Sequence, residues 1–229
     1  MEKRTILGYL VAAVGALCAV GWFPFRRWYL RWGATSVEVR RSMPGDGLVP
    51  RPRQTYTRAI TILAAAADVW PWLAQMGQGR GGLYSYDRLE NLFGLGVRSA
   101  DRIVPELQRL AVGDTIRLAP EPGPAFTVQA VQPGRMLLLL ARNDLETGQP
   151  FVRGAGLPSK YMNVSWAFVL EAHADEFTRV IVRQRLDYDP SFASRLMWHI
   201  MEPINFIMER KMLLTLKQRA ESVARQDVE

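Results

Sequence analysis

From Ile6 to Phe25 the chain runs ILGYLVAAVGALCAVGWFPF, twenty residues without one charged side chain. As a helix rising about 1.5 Å per residue, it reaches roughly 30 Å, the thickness of a bilayer's hydrocarbon core. Pro24 falls at its end, where a break costs little. Beyond it, Trp22, Trp28, Tyr29 and Trp32 interleave with Arg26, Arg27 and Arg31. Aromatic rings and arginines with apolar stems favour the headgroup layer. Residues 1–32 therefore read as a membrane anchor with an interfacial collar of Trp22, Arg26, Arg27, Trp28, Arg31 and Trp32. A secretory signal peptide is the rival, but the apolar run is long and no good small-x-small cleavage site precedes the collar. Cys18 reads as a small apolar residue in lipid. Arginines are denser after the span than before it, which predicts a single-pass protein with its C-terminal domain in the cytoplasm.

Charge sharpens this division. The formal net charge is +7. Up to Arg58 there are ten basic residues against three acids, and from Ala59 onward bases and acids are equal in number. A neutral body argues against a nucleic-acid footprint, which needs a concentrated basic face. One cysteine excludes an internal disulfide, and two histidines without HExxH spacing leave no metal site to expect. No cofactor is implied.

The stretch 33–56 is rich in turn formers (MPGDG, then LVPRPRQ) and reads as a linker; residues 57–225 read as one α+β domain, with 226–229 a tail. Thr57–Leu63 is strand-like. In DVWPWLAQM, Val69, Leu73 and Met76 share a helical face, with Pro71 expected in a first turn. Ser85 is placed to cap a second helix, YDRLENLF, ended by Gly94. Strands follow over Thr115–Leu118, Phe126–Val131 and Met136–Arg142. After a Gly/Pro-punctuated loop, Asn143–Lys160, which is a candidate lid, two further runs alternate. Val164, Trp166, Phe168 and Leu170 mark the first. In the second, Val180, Val182 and Leu186 oppose Arg179, Arg183 and Arg185. His173 falls in the turn between them. A helix over about Ser191–Arg225 closes the chain. Its apolar stripe, Met197, Ile200, Met201, Ile204, Met208, Met212, Leu216, Ala220 and Val223, is expected to face the core, with Pro203 starting or kinking its main portion.

This order, and the stretches VWPWLAQMGQGRGGLYSYDRLENLFG, PELQRLAVGD, SWAFVLE, FTRVIVRQR and FIMERKMLLTLKQRAE, resemble the START-like or SRPBCC superfamily. Within it, they are similar to uncharacterised bacterial polyketide-cyclase and lipid-transport-like proteins. The resemblance implies a helix-grip fold: an antiparallel sheet wrapped around a long C-terminal helix, with an apolar cavity between them. It implies a hydrophobic ligand without naming it; together with the apolar span and its collar, the leading expectation is a lipid bound at the membrane without turnover. Two alternatives stay open. One is a polyketide cyclase or dehydratase; the other is a non-enzymatic partner-binding module whose cavity is filled by its own side chains.

Candidate ligand-binding residues are Trp70, Trp72, Tyr84, Tyr86, Asp87, Glu90, Trp166, Arg183, Met208 and Met212. Tyr84, Tyr86, Asp87 and Glu90 form the densest polar cluster and suit a ligand's polar end or an acid/base pair, against capping and packing as the plainer roles. Arg183 shares a strand face with Arg179 and Arg185, fit for an anionic headgroup or for outer-face ion pairs. The tryptophans and methionines suit core or pocket wall alike. Gly77-Gln78-Gly79-Arg80-Gly81-Gly82 matches GxGxxG in form, but it follows a helix instead of opening one. It therefore reads as a turn at a cavity mouth with Arg80 exposed, not as a phosphate loop. Glu209 reads as part of a solvated helix face, with a buried pair to Arg183 or Arg185 as the minority option.

Overall fold

The computed structural model describes residues 24–87, 91, 96, 98–152, 156–173 and 177–226. Most of the Ile6–Phe25 run, with Trp22 and Cys18, lies outside the described residues, as do Glu90 and Gly94. Among the described residues no helix is long and apolar enough to cross a membrane.

A helical turn over 24–30 (α1) leads into α2 (Ser36–Arg40), which a capping box opens: the Glu38 amide donates to Thr35 Oγ1, and the Thr35 amide to Glu38 Oε2. Then come β1 (Gln54–Ile62) and α3 (Ala66–Ala74), followed by β2 (Thr115–Arg117), β3 (Ala125–Gln132) and β4 (Met136–Asp144). The chain ends with β5 (Tyr161–His173), β6 (Phe177–Tyr188) and α4 (Phe192–Gln226). The strands make one antiparallel sheet in the order β1-β6-β5-β4-β3-β2. α3 starts two residues earlier than the sequence predicts, so Pro71 lies inside it. His173 is the last residue of β5 instead of a turn residue, and its ring stacks on Phe177 at 4.6 Å.

Strand alternation separates two faces. Tyr56, Ile60, Leu137, Leu139, Val164, Trp166, Phe168, Val180 and Val182 face inward, against Val69, Trp72 and Leu73 of α3 and Met212, Leu213, Leu216 and Ala220 of α4. This is the helix-grip arrangement. On the outer face, the 33–50 stretch straps across the sheet over a small apolar patch of Met43, Ala59 and Ile181. Gly33 makes the approach feasible. It has φ +71°, and a Cβ there would sit 2.0 Å from the Ala59 carbonyl oxygen.

Both halves of the last helix carry apolar residues, but most of those in the first half point outward. Met197, Ile200, Met201 and Ile204, expected in the core, are exposed, together with Phe192, Leu196 and Ile207. The inward stripe of the first half is instead Ser194, Trp198, Glu202 and Phe206, of which Ser194, Glu202 and Phe206 are buried. Glu202 accepts two hydrogen bonds from Arg26, at 2.6 and 2.7 Å, and one from Tyr29 Oη at 3.0 Å. Trp198 stacks on Tyr188, and Phe206 meets Trp28, Tyr29 and Trp32. α1 is thereby fixed to the outside of the grip.

Candidate functional site

Inside the grip, the space that the resemblance assigns to a cavity holds a closed polar ring. Arg58 sits on the inward face of β1, fully buried, with its guanidinium stacked between Tyr56 and Phe206 at 5.1 and 5.3 Å. Its Nη1 donates to Glu209 Oε2 and to Asn205 Oδ1, and its Nε to the Tyr29 carbonyl. Glu209 Oε1 accepts from Trp166 Nε1 at 2.9 Å and from Gln184 Nε2 at 2.7 Å. Asn205 Nδ2 closes the ring onto Gln184 Oε1. Both oxygens of Glu209 are engaged, Oε1 by two donors and Oε2 by one, so this carboxylate ties α4 to the sheet. The solvated-face reading of Glu209 is therefore corrected. Its partner is Arg58, an inward residue, because Arg183 and Arg185 lie on the opposite face of the sheet.

An open pocket of about 450 Å³ lies elsewhere, between the 84–87 segment, Ser99 and the second half of α4. That volume lies in the usual range for small-molecule sites. Tyr84, Ser85, Tyr86, Asp87, Ser99, Lys211, Thr215 and Arg219 line it. The α4 contributors are spaced i, i+4, i+8 and so form one stripe of the helix. Its floor depends on the glycine motif: Gly77 and Gly82 pair across a tight turn, and a Cβ at Gly82 would come within 2.5 Å of Ser99 Cα. Arg80, expected to be exposed, is half-buried and donates to the Ala74 and Leu107 carbonyls.

Three polar atoms of the lining are buried without a hydrogen-bond partner among the described residues: Tyr84 Oη, Thr215 Oγ1 and Arg219 Nη1. Such atoms are costly unless something fills their bonding capacity. Tyr84 Oη lies near Gln75, whose amide engages Arg102, Val104 and Gln108 and keeps one Nε2 hydrogen for the phenol oxygen, which leaves the phenol O–H free to donate. Burial pushes the Tyr84 phenol up to about 12, outweighing Gln75, Arg219 and Arg80, so it remains a protonated donor at neutral pH. The Arg219 guanidinium lies 4.8 Å from the Tyr84 ring and 5.3 Å from the Trp72 ring. Burial lowers its pKa against the raising influence of Tyr84, Asp87 and Asp101. Asp87 accepts from the Ser99 amide at 2.7 Å and from Ser99 Oγ at 2.6 Å. The pocket thus presents donors and two cations, with its one described carboxylate spent on a loop.

The sequence candidates divide accordingly. Tyr84, Tyr86 and Asp87 meet at the pocket, Tyr86 from an exposed position. Trp72 backs the pocket beneath Arg219. Trp166 belongs to the interior ring, Met212 is core, and Trp70 packs half-buried against that core. Met208 is half-buried, and its carbonyl accepts from Ser85 Oγ. Arg183 is on the outer face, bonded to Thr57, Asp46 and the carbonyls of Glu38, Val39 and Arg41. Of the collar, Arg27, Trp28 and Arg31 are exposed, whereas Arg26 is turned back onto Glu202 and Trp32 is half-buried under Arg210. Sequence reasoning missed Arg58, Gln184, Asn205, Ser99, Lys211, Thr215 and Arg219. The available signal for Arg58 was its phase in β1, between inward Tyr56 and Ile60.

Fold and site together define a helix-grip architecture with a donor-lined pocket beside its last helix. No protein-family model matches the chain, and no curated protein matches it. Among solved structures, protein MLL2253 from Mesorhizobium loti is 13% identical, with a TM-score of 0.40, covering 74% of this chain and 98% of that one. The Aha1 dimer from Colwellia psychrerythraea is 18% identical, with a TM-score of 0.39, covering 73% and 96%. Truncated norcoclaurine synthase from Thalictrum flavum is 13% identical, with a TM-score of 0.38, covering 74% and 92%. At TM-scores this low these likenesses decide neither ligand nor activity, and the architecture stands on its own strand order and terminal helix.

Proposed function

We propose that this protein is a membrane-anchored, non-enzymatic carrier of an amphipathic lipid whose anionic or acceptor-rich end is held at the Tyr84–Arg219 pocket. One observation carries the reading: three unpartnered polar groups, all able to donate, converge on a single pocket beside Lys211. A carboxylate or phosphate ester would satisfy them together, and Trp72 and Tyr84 offer apolar surface beside them. The Ile6–Phe25 span would hold the domain at the cytoplasmic face, raising the local concentration of membrane-derived ligand. The test is native mass spectrometry of the full chain released from membranes in mild detergent. A lipid-mass adduct that is lost in Arg219→Gln supports the reading. Adduct-free protein, or an adduct indifferent to Arg219, overturns it.

A second reading, a partner-binding module with a filled grip, is favoured by the Arg58–Glu209 ring, which occupies the space between sheet and helix. A cyclase or dehydratase is less supported. Of its acid/base candidates, Asp87 is tied to Ser99, and Tyr84 has no carboxylate bonded to it among the described residues.

A further inference from the structure

The first half of α4 is amphipathic in the inverted sense. Two of its polar side chains, Ser194 and Glu202, point into the protein, and Phe192, Leu196, Ile200, Ile204 and Ile207 point to solvent beside exposed Arg195 and His199. Their spacing makes one stripe along the helix, opposite the inward one. An exposed apolar stripe of this length is not a monomer's ordinary surface. α1 lies alongside, fixed by the Arg26–Glu202 ion pair, and adds exposed Phe25 and Trp28. The charges are also one-sided. Over 24–31 and 192–207 the only acid is Glu202, which is buried and paired, whereas Arg27, Arg31 and Arg195 are exposed. The charge-free Ile6–Phe25 sequence enters directly at α1.

The geometry points to a peripheral docking surface for an anionic lipid bilayer, made of the outward face of α4's first half together with α1. The apolar stripe would enter the headgroup–acyl boundary while the three arginines meet lipid phosphates. A covering protein segment, whether this chain's own N-terminal run or a second copy, would have use for the apolar stripe but none for a rim of unopposed cations. This surface is separate from the Tyr84–Arg219 pocket and does not rest on its having a ligand.

The experiment uses the full chain in a Cys18→Ser background, reconstituted with vesicles of phosphatidylcholine alone or mixed with phosphatidylglycerol. Ile200→Cys, or Gln218→Cys as a control at an exposed position on the second half of α4, carries an environment-sensitive fluorophore. With phosphatidylglycerol present, the label at position 200 should shift to the blue and be quenched by nitroxide lipids, while that at 218 should not. Arg195→Gln should lower the docked-to-undocked ratio roughly five-fold, the worth of one basic residue near an anionic surface. Water-like emission at position 200 in every vesicle overturns the proposal. So does a blue shift without nitroxide quenching, which would mean that protein covers the stripe. Quenching that ignores both phosphatidylglycerol and Arg195 overturns the electrostatic part. Pocket occupancy does not enter this readout, so the two proposals fail independently.

Discussion

Arg58 and Glu209 form an ion pair with almost no access to water, and the pair lies at the centre of the grip. Removing one partner of such a pair leaves a buried charge uncompensated, at a cost of about 3–5 kcal/mol. Glu209→Gln should therefore lower unfolding free energy by that order in urea titrations, whereas a paired change of Arg58 and Glu209 to apolar residues should cost less than either alone. Glu38 gives a pH-dependent counterpart. Hydrogen bonds from Arg179, with smaller help from Thr35, hold its carboxyl at about 2 against an ordinary 4.5. A depressed carboxylate contributes stability that is full above its unfolded pKa and is lost as pH falls toward the folded one. Glu38→Gln should thus cost on the order of 2 kcal/mol at pH 7, and wild type and variant should converge as pH drops from about 4.5 toward 2. Denaturant midpoints measured across that range check it. These roles were hard to read from the sequence, because Arg58 and Glu209 lie far apart in the chain and only the packing of α4 against β1 brings them together.

The strands were largely legible, since alternation is a local signal: β5 and β6 begin or end within a few residues of the runs their side-chain patterns predict. The long helix was legible in extent but not in orientation. Apolar residues recur around α4 on two stripes, and periodicity alone does not say which one faces the sheet. The inward polar residues decide it, because Glu202 and Glu209, seven residues apart, share a face with Phe206 and Leu213. Two substitutions separate the halves. Leu213→Ala, in the buried half, should cost about 2–5 kcal/mol. Ile200→Ala, on the exposed stripe, should change stability by no more than about 0.5 kcal/mol. Equal costs at both sites would mean that the first half of α4 is packed.

For the molecule as a whole, the charge excess of the N-terminal quarter takes on a different meaning. Arg26, Arg41, Arg53 and Arg58 are paired with Glu202, Glu171, Asp187 and Glu209 of the body. Part of what reads in sequence as a membrane-facing charge is therefore internal wiring, and Arg27 and Arg31 are the exposed remainder in α1 and just after it. The stretch 33–50 likewise holds Arg179, Arg183 and Arg185 on the outer sheet face. A chain cut before Ser42 would leave Glu202 buried without Arg26 or Tyr29. Thermal unfolding should show it several degrees less stable than the full chain. The pocket was half legible: Tyr84, Tyr86 and Asp87 cluster in sequence, but Lys211, Thr215 and Arg219 reach them only through the docking of α4. The account is tested most directly by titrating wild type and Arg219→Gln with oleate, phosphatidate and neutral diacylglycerol of matched chain length. It predicts that the two anionic lipids bind wild type, bind the variant about tenfold or more weakly, and outcompete the neutral lipid. Equal binding of all three lipids, or anionic binding unchanged by loss of Arg219, would contradict it.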